Sequence, residues 1–421
     1  MMSAPHSSSR PPASAAYPWL LIGLLWVASF LNAADRSILV ATMPDIRAEF
    51  GLDAGHLALI NSVFFWVYAV AAFFSGQLGD RTRRSRVIVY GLMFWSVATG
   101  MVSLTTGFGM LLATRVLVAV GESAYYPSAT ALIGDWHGKA TRSRALSLHQ
   151  TGLFAGAGLG ALSAGLLADR FGWRAPFALF AAAGLVYAFV LLWALRDKTV
   201  EAPVASVQKT SQGSLRAVLS NPAALGLCLV FFLANGASTG LMVWAPTFAH
   251  DALGLNLTGS ALIGSATINL AGFLSVPLGG VLGDALGRRT GFGRFYVLAL
   301  GLGLAGLFLL PLPLATTATT VGLVLLASSL GKGIFDGCIY AAMHDIAEPR
   351  VRATAVGTMT MVGFIGAGLT PLMVAALSDR FGMAVGLSAL AGLYGLAVIL
   401  LLLLRRPALT AIEKSAAWDV A

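Results

Sequence analysis

The sequence predicts an all-α membrane protein whose twelve transmembrane helices form two pseudo-symmetric six-helix bundles. Three observations predict this fold class: an apolar composition, twelve long apolar stretches, and a repeat of motifs between the two halves of the chain. Of the 421 residues, 57% are hydrophobic and only 11% are charged. One soluble core could not enclose that much apolar surface, so the chain needs lipid around it.

Each of the twelve apolar stretches is long enough to cross a bilayer core, which takes about 20 helical residues. They lie near residues 18–43, 56–79, 87–106, 108–136, 143–168, 174–195, 223–249, 259–283, 294–314, 317–345, 352–377 and 383–404. A transmembrane barrel would instead show strands of about ten residues with alternating hydrophobicity. No such alternation dominates the sequence, which favours a helical bundle.

The formal charge of +9 could indicate nucleic-acid binding, but the basic residues are distributed as a topology signal. They concentrate in every second loop: Arg81, Arg83, Arg84, Arg86; Lys139, Arg142, Arg144; Arg196, Lys198, Lys209, Arg216; Arg288, Arg289, Arg294; Arg350, Arg352; Arg405, Arg406. The positive-inside rule places these loops and both termini in the cytoplasm. We therefore expect a multi-pass protein of the bacterial inner membrane, with lipid and not nucleic acid around it.

Two pairs of motifs repeat about half a chain apart. The loop GQLGDRTRRS at residues 76–85 returns as GVLGDALGRR at 280–289, and GAGLGALSAGLLADRFG at 156–172 returns as GAGLTPLMVAALSDRFG at 366–382. Two independent matches make coincidence improbable. The repeat predicts that the second six helices copy the first six.

The repeat and the composition together predict the domain organisation. The predicted units are a disordered cytoplasmic tail at 1–17, a bundle at 18–195, a polar cytoplasmic linker at 196–221, a second bundle at 222–406 and a cytoplasmic tail at 407–421. Glycines in the fifth and eighth helices allow close helix approach. They are Gly152, Gly156, Gly160, Gly272 and Gly279.

Four ionisable residues lie deep within predicted membrane helices, where each charge costs at least about 2.5–3.5 kcal/mol and is a functional candidate. Asp35 and Arg36 are adjacent in the first helix, and their side chains point about 100° apart, so each needs a partner from elsewhere. Arg115 and Glu122 share one face of the fourth helix. We predict that Asp35 pairs with Arg115 and that Arg36 lies near Glu122.

Such a cluster can couple protons to conformation. If the halves move, the distance between an arginine and a buried carboxylate changes, and the proton affinity of that carboxylate changes with it. Asp35 and Glu122 are therefore the candidate proton carriers, and the proton is the expected coupling ion. The alternative is a static network of structural ion pairs.

Eight further polar residues are candidates for a cavity wall: Tyr125, Tyr126, His149, Gln150, Asn235, Asn269, Lys332 and Asp336. His149 is either a hydrogen-bonded packing residue or a proton relay. Lys332 and Asp336 are four residues apart on one helix, so they can neutralise one another. Asn235 and Asn269 either link the seventh and eighth helices or contact a substrate hydroxyl.

Several motifs can be set aside. The run GLGLAG at 301–306 matches GxGxxG, but it lies inside an apolar helix without the strand that a dinucleotide site requires. The sequence has no GxxxxGK[ST] run, no metal-ligand cluster and no nucleophile–base pair. Cys228 and Cys338 lie in apolar segments and are interpreted as packing residues. We expect no enzyme activity, no cofactor and no metal.

The repeated GxLGDxxGRR loop resembles that of the major facilitator superfamily, and the likeness runs from Pro18 to Arg406. This resemblance implies alternating access, with Asp80, Arg84, Asp284 and Arg288 locking the cytoplasmic side. The alternative is that these arginines only set topology. The first copy departs from the pattern, with Arg83 where the second copy has Gly287.

Two groups within that superfamily share further motifs with the chain. NxxDR (Asn32, Asp35, Arg36) and the pair Gly121-Glu122 resemble the organic anion:cation symporters and the spinster-like carriers. The resemblance implies protons on Asp35 and Glu122 and an anion on the matching arginine. Alanines stand before the Asp-Arg pair where an aromatic residue is usual. The fifth helix lacks the Gly-Pro of drug:proton antiporters, which favours symport.

Two functions follow as expectations. The first is import of a small organic anion, such as a carboxylate or sugar acid, together with protons, with Arg36 or Arg115 binding the anion. The second is export of an amphiphile, such as a lysophospholipid or drug, by the same fold. A membrane enzyme or receptor is disfavoured because the sequence shows a two-half repeat with gating loops and no recognisable set of catalytic residues. We expect a monomer.

Overall fold

The computed structural model describes residues 16–137, 142–197, 216–348 and 351–420, and the described chain is helical throughout. Twelve helices among these residues are long and apolar enough to cross a membrane. They are α1 Tyr17–Phe50, α2 Ala54–Arg81, α3 Arg84–Val102, α4 Phe108–Trp136, α5 Arg142–Phe171, α6 Arg174–Ala194, α7 Pro222–Leu253, α8 Leu257–Arg289, α9 Gly293–Leu309, α10 Ala318–Ile346, α11 Arg352–Phe381 and α12 Met383–Leu403. A further helix, α13, covers Arg405–Val420. The predicted fold class is confirmed.

Residues with special backbone chemistry set the helix ends. Gly51 and Gly254 end α1 and α7 in the left-handed conformation, each with φ of 63°, which glycine adopts without steric cost. Asn221 caps α7 by accepting from the backbone N–H of Ala223 at 3.0 Å. Asp53 accepts from the His56 backbone N–H at 2.8 Å at the start of α2. That bond holds the pKa of the Asp53 carboxyl below its ordinary value.

Helix α4 is bent beside one of its charged residues. It consists of two segments, Phe108–Ser123 and Tyr125–Trp136, which meet at Ala124. Pro127 opens the second segment, and because proline has no backbone N–H, the hydrogen bond back to the preceding turn is missing there. The bend therefore follows Glu122 directly. A turn of π-helix, Leu262–Ala266, interrupts α8 in a similar way.

Small residues allow the inner helices of each half to pack closely, as predicted. A Cβ on Gly160 of α5 would lie 2.6 Å from the Cα of Ala34, and one on Gly156 would overlap the backbone of Phe30. In the second half, a Cβ on Gly279 of α8 would overlap the backbone at Ile334 of α10. The contacts of Gly156 and Gly160 hold the buried part of α1 close against α5.

The two halves are joined by polar contacts at one end of the molecule. Arg47 of α1 forms a bidentate ion pair with Asp251 of α7, at 2.8 and 3.0 Å. Asp169 at the end of α5 accepts from the backbone N–H groups of Leu257 and Thr258 at the start of α8, at 3.0 and 2.9 Å. We call this the Arg47–Asp251 end. Among the described residues, every hydrogen bond between the halves lies there.

Apolar side chains of α2 and α11 also pack against each other between the halves. Phe364 of α11 packs against Tyr68 of α2, with ring centroids 5.3 Å apart. Trp66 of α2 lies against Gly368 of α11, where no larger side chain would fit. Tyr68 also contacts a charged residue of α1, so this packing adjoins the polar centre of the first half.

Candidate functional site

A salt bridge between α1 and α4 forms the centre of the site. The Arg36 Nε atom lies 2.5 Å from Oε2 of Glu122, and the Arg36 Nη2 atom donates to Oδ1 of Asn32 at 2.7 Å. Glu122 is fully buried. The predicted proximity of Arg36 and Glu122 is therefore present in the structure.

Asp35 departs from its predicted partner. Its carboxylate is buried, and Thr99 of α3 donates to its Oδ2 atom at 3.2 Å. No ion pair with Arg115 is found among the described residues, so that predicted pairing was wrong. The reason is geometric: Asp35 points about 100° away from Arg36 and meets α3, whereas Arg36 meets α4.

Arg115 is a buried cation whose Nε–H group has no hydrogen-bond partner among the described residues. The residue is 2% exposed, and its guanidinium carbon lies 4.6 Å from the centre of the Phe64 ring. Among the described residues it has no hydrogen bond and no ion pair, although Glu122 and Asp35 lie within electrostatic range. Contact with an aromatic face offsets part of the cost of burying the charge. It does not satisfy the guanidinium N–H groups.

Three buried polar atoms of this cluster lack hydrogen bonds to the described residues. They are Nε of Arg115, Oε1 of Glu122 and Nδ2 of Asn32. Buried polar atoms are nearly always paired in native structures, and exceptions concentrate where a ligand or proton is handled. Two donors and one acceptor left open in one small region can receive an anion and a proton.

Aromatic side chains, which the sequence reasoning did not single out, enclose the two arginines. The Arg36 guanidinium carbon lies 4.8 Å from the centre of the Tyr68 ring and 5.5 Å from that of Phe64. Phe64 therefore contacts Arg36 and Arg115 together. The spacing of Phe64 and Tyr68, one helical turn apart in α2, was the available signal.

Four of the predicted wall residues form two contacts between α4 and α5. The hydroxyl of Tyr125 donates to the Leu25 carbonyl at 2.5 Å and lies 2.7 Å from Nε2 of His149. Tyr126 donates to Oε1 of Gln150 at 3.0 Å. His149 is buried and Tyr126 is partly exposed, so the first pair links helices and the second faces open space.

The wall residues of the second half separate into two groups. Asn235 donates to the Gly363 carbonyl of α11 at 3.1 Å, and Asn269 donates to the Ser265 carbonyl of its own helix at 2.9 Å. The suggested link between α7 and α8 through these amides is therefore wrong. Lys332 and Asp336 do pair, with Nζ at 2.6 and 2.7 Å from the two carboxylate oxygens. The i,i+4 spacing brought them together as expected.

The repeated loops hold matching ion pairs at the end of the molecule opposite Arg47 and Asp251. Arg84 at the start of α3 pairs with Asp135 at the end of α4. Arg294 at the start of α9 pairs with Asp345 at the end of α10 at 2.5 Å. These two pairs are spaced identically along the chain, which shows the repeat in three dimensions.

The four residues proposed for gating differ in their ion-pair partners. Arg294 also binds Asp284, at 2.9 Å, so the partner of Asp284 is not Arg288. Arg288 forms no ion pair with the described residues. The side chain of Asp80 lies outside the described part of the chain. Within that part, no group of three or more His, Cys, Asp or Glu side chains could hold a metal ion.

A family model described as Major Facilitator Superfamily matches residues 25–371 and 266–418 of the chain. The chain belongs to the major facilitator superfamily. It is a multi-pass membrane transporter and not an enzyme. The charged cluster lies among α1, α2 and α4, within the first of the two homologous bundles.

Curated members of the superfamily resemble the chain, two of the three described below over nearly its whole length. The hexuronate transporter of Bacillus subtilis (strain 168) is 28% identical over 401 residues, covering 90% of this chain and 92% of the relative. The probable galactarate/D-glucarate transporter GudP of Escherichia coli (strain K12) is 24% identical, covering 95% of each chain. Protein spinster homolog 1 of Homo sapiens is 32% identical over 64% of this chain and 53% of its own length.

A solved superfamily structure has the same fold. It is a bacterial homologue of the human lysosomal transporter Spinster, in an inward-facing and unoccupied conformation, with a TM-score of 0.84. The identity is 20%, over 96% of this chain and 99% of that one. The likeness establishes the shared fold of the two-bundle superfamily.

Proposed function

We propose that the chain carries a small organic anion, a carboxylate or sugar acid, in symport with protons by alternating access. The observation that carries this proposal is Arg115, a buried guanidinium that lacks a polar partner among the described residues. A charge kept inside the membrane without a partner is costly and marks a functional site. An anion that binds there relieves the cost.

The chemistry of the two arginines differs. Arg36 is already engaged by Glu122 and Asn32, whereas the Arg115 guanidinium lies over the Phe64 ring and makes no hydrogen bond or ion pair with the described residues. The planar fork of an arginine suits a carboxylate or phosphate, which it binds through two parallel hydrogen bonds. Arg115 is therefore the first residue to bind the anion, and Arg36 is the second.

A proton on Glu122 can control whether Arg36 is free to bind the anion. When Glu122 is ionised, it holds Arg36 at 2.5 Å. When Glu122 takes a proton, the attraction weakens and Arg36 becomes available to the substrate. Binding of the proton and binding of the anion then favour one another, which is the thermodynamic requirement for symport. Asp35, buried beside the same cluster, is the second proton carrier.

The relatives support an anionic substrate by their printed names. Hexuronate, galactarate and D-glucarate are sugar acids, and the probable sulfoacetate transporter SauU of Cupriavidus necator is 25% identical over 86% of this chain. All four names denote organic acids that carry one or two negative charges. This agrees with a site built from two arginines.

We infer a bacterial inner membrane location with both termini cytoplasmic, from the basic residues in every second loop. With that orientation, the Arg47–Asp251 end faces the periplasm. We further infer that the polar contacts between the halves close the periplasmic side and that substrate exchanges with the cytoplasm in this state.

Proteoliposomes that contain a trapped pH dye test the proposal. Carboxylates, sugar acids, neutral sugars and lysophospholipids are added in turn, and the internal pH is followed. Acidification with an organic anion, lost in Asp35→Asn and in Arg36→Ala, supports proton-coupled anion symport. A response confined to lysophospholipids would replace the proposal by a spinster-like exporter, which the 32% identity to protein spinster homolog 1 makes the second candidate.

A further inference from the structure

An ion pair between Lys332 and Asp336 of α10 has no role in the function proposed above. Nζ of Lys332 lies between the two carboxylate oxygens of Asp336, at 2.6 and 2.7 Å. The Lys332 side chain is 8% exposed and that of Asp336 is 38% exposed. The lysine is therefore buried, and the more exposed side chain of the pair is that of Asp336.

The pair lies on a face of α10 that differs from the two faces packed most closely against α9 and α8. Gly331 packs against the backbone of α9, and Gly337 packs against the backbone of α8. The remaining stripe of the helix holds Lys332, Asp336 and Tyr340 at successive turns. At 100° per residue, this stripe lies between those two contact faces on the inner side of the helix.

The same stripe approaches the first half of the molecule. Tyr340 lies within electrostatic range of Tyr126 of α4 and of Asp336 one turn earlier. Tyr126 lies one helical turn after Glu122 and donates a hydrogen bond to Gln150. Tyr340 also packs against Phe231 of α7, with ring centroids 6.0 Å apart, so the stripe that carries the pair runs between α7 and the helix that carries Glu122.

The internal repeat relates the two charged centres with opposite sign. Glu122 and Lys332 are separated along the chain by the same interval as Gly156 and Gly366, which begin the repeated motif. Equivalent positions therefore hold a buried acid in the first bundle and a buried base in the second. The acid is paired with Arg36 from another helix, whereas the base is paired within its own helix.

We propose that Asp336 is a built-in carboxylate that occupies Lys332 and thereby restricts the carrier to monoanions. The proposal rests on the proposed function, since it assumes that an anion binds at Arg115. A dianion needs a second cation for its second carboxylate, and Lys332 is the buried cation at the position of the second bundle that is equivalent to Glu122. Asp336 already fills that position with both of its oxygens.

Electrostatics makes the exclusion strong. A second substrate carboxylate would have to displace Asp336 from Lys332, which leaves one carboxylate unpaired beside another in a partly buried site. Like charges at such a distance repel, and an unpaired buried charge is expensive. A monoanion meets neither cost, because its only carboxylate binds in the first half and its other end remains uncharged.

Uptake of galacturonate, a monoanion, and galactarate, its dianionic counterpart with the same number of carbons, tests the proposal. Both are measured at equal concentration in proteoliposomes with wild type, Asp336→Asn, and Lys332→Met combined with Asp336→Asn. In Asp336→Asn the lysine is free, so galactarate uptake relative to galacturonate rises by at least about tenfold. In the double variant no cation is free, so the gain disappears.

The outcomes distinguish two causes of the substrate preference, the occupied charge of Lys332 and the size of the cavity. A gain in Asp336→Asn that persists in the double variant would show that cavity size sets the preference and would overturn the proposal. Competition in the wild type needs no variant: galactarate in excess should leave galacturonate uptake unchanged, and strong inhibition would overturn the proposal. Equal uptake of both acids by the wild type would refute this inference alone, whereas uptake of neither would refute the anion function beneath it.

Discussion

The Arg36 Nε atom and the Glu122 Oε2 atom lie 2.5 Å apart and join α1 to α4 inside the first bundle. The two segments of α4 meet at Ala124, two residues after Glu122. The opposite carboxylate oxygen of Glu122 has no hydrogen-bond partner among the described residues. A proton can bind there without breaking an existing bond.

Glu122→Gln should uncouple transport from the proton gradient. The amide keeps an acceptor for Arg36 but cannot take up a proton, so uptake driven by external acid falls by at least about tenfold. Exchange of internal for external anion needs no proton turnover and stays within about threefold of wild type. Uptake is measured across a pH series, and the wild-type dependence on external pH should flatten in the variant.

Glu413→Gln, at an exposed position of α13, is the matched control for that experiment and should behave as wild type. If Glu122→Gln retains acid-driven uptake with an unchanged pH profile, Glu122 is not a proton carrier. The salt bridge would then be a structural link between α1 and α4.

The pair Arg47 and Asp251 should bias the conformational equilibrium without affecting substrate affinity. Both side chains are about one-third exposed, so the pair contributes about 0.2–1 kcal/mol to closure of that end. Arg47→Ala should therefore shift the ratio of open to closed molecules by up to about fivefold. Spin labels at Ala48→Cys and Ala252→Cys report the distance between the ends of α1 and α7.

A charge exchange provides the control for this pair. Arg47→Asp combined with Asp251→Arg should restore the wild-type distance distribution, because the ion pair reforms with opposite polarity. A distribution that stays wild-type in Arg47→Ala would assign closure to the helix cap made by Asp169 instead.

Gly156→Ala should destabilise the first bundle, and Gly158→Ala should not. A Cβ at position 156 would overlap the backbone of Phe30, and rigid backbone cannot yield, so overpacking costs about 1–3 kcal/mol. A Cβ at position 158 would lie 3.5 Å from Cβ of Asn269, an ordinary contact. Thermal unfolding in detergent is compared for the two variants, and equal melting temperatures would contradict the close packing of α1 on α5.

Much of the fold could be predicted from the sequence because each element depends on local composition. A span needs only enough apolar residues, and the repeated glycines mark the close contacts. The bend at Ala124 was missed, since the apolar pattern continues through it and only Pro127 signals the missing hydrogen bond. Positions at which charge is buried were found in the same way, because any ionisable residue in an apolar run is conspicuous.

Pairing among those charges was predictable only in part. Lys332 and Asp336 lie four residues apart on one helix, so their contact follows from helical geometry. The partners of Asp35 and Arg115 depend on how α2 and α3 pack against α1, and no pattern within one helix encodes that. Thr99 and Phe64 are ordinary residues of apolar helices, which is why the sequence did not single them out.

The binding of galacturonate to purified protein tests the central claim, that Arg115, which forms no ion pair with the described residues, binds the anion. Wild type and Arg115→Gln are compared by calorimetry at one pH, with Arg174→Gln, an exposed arginine at the start of α6, as control. The account predicts at least about a tenfold rise in Kd for Arg115→Gln, because truncating one partner of a buried charge pair costs about 2–5 kcal/mol. An unchanged Kd in Arg115→Gln, with the control also unchanged, would contradict it.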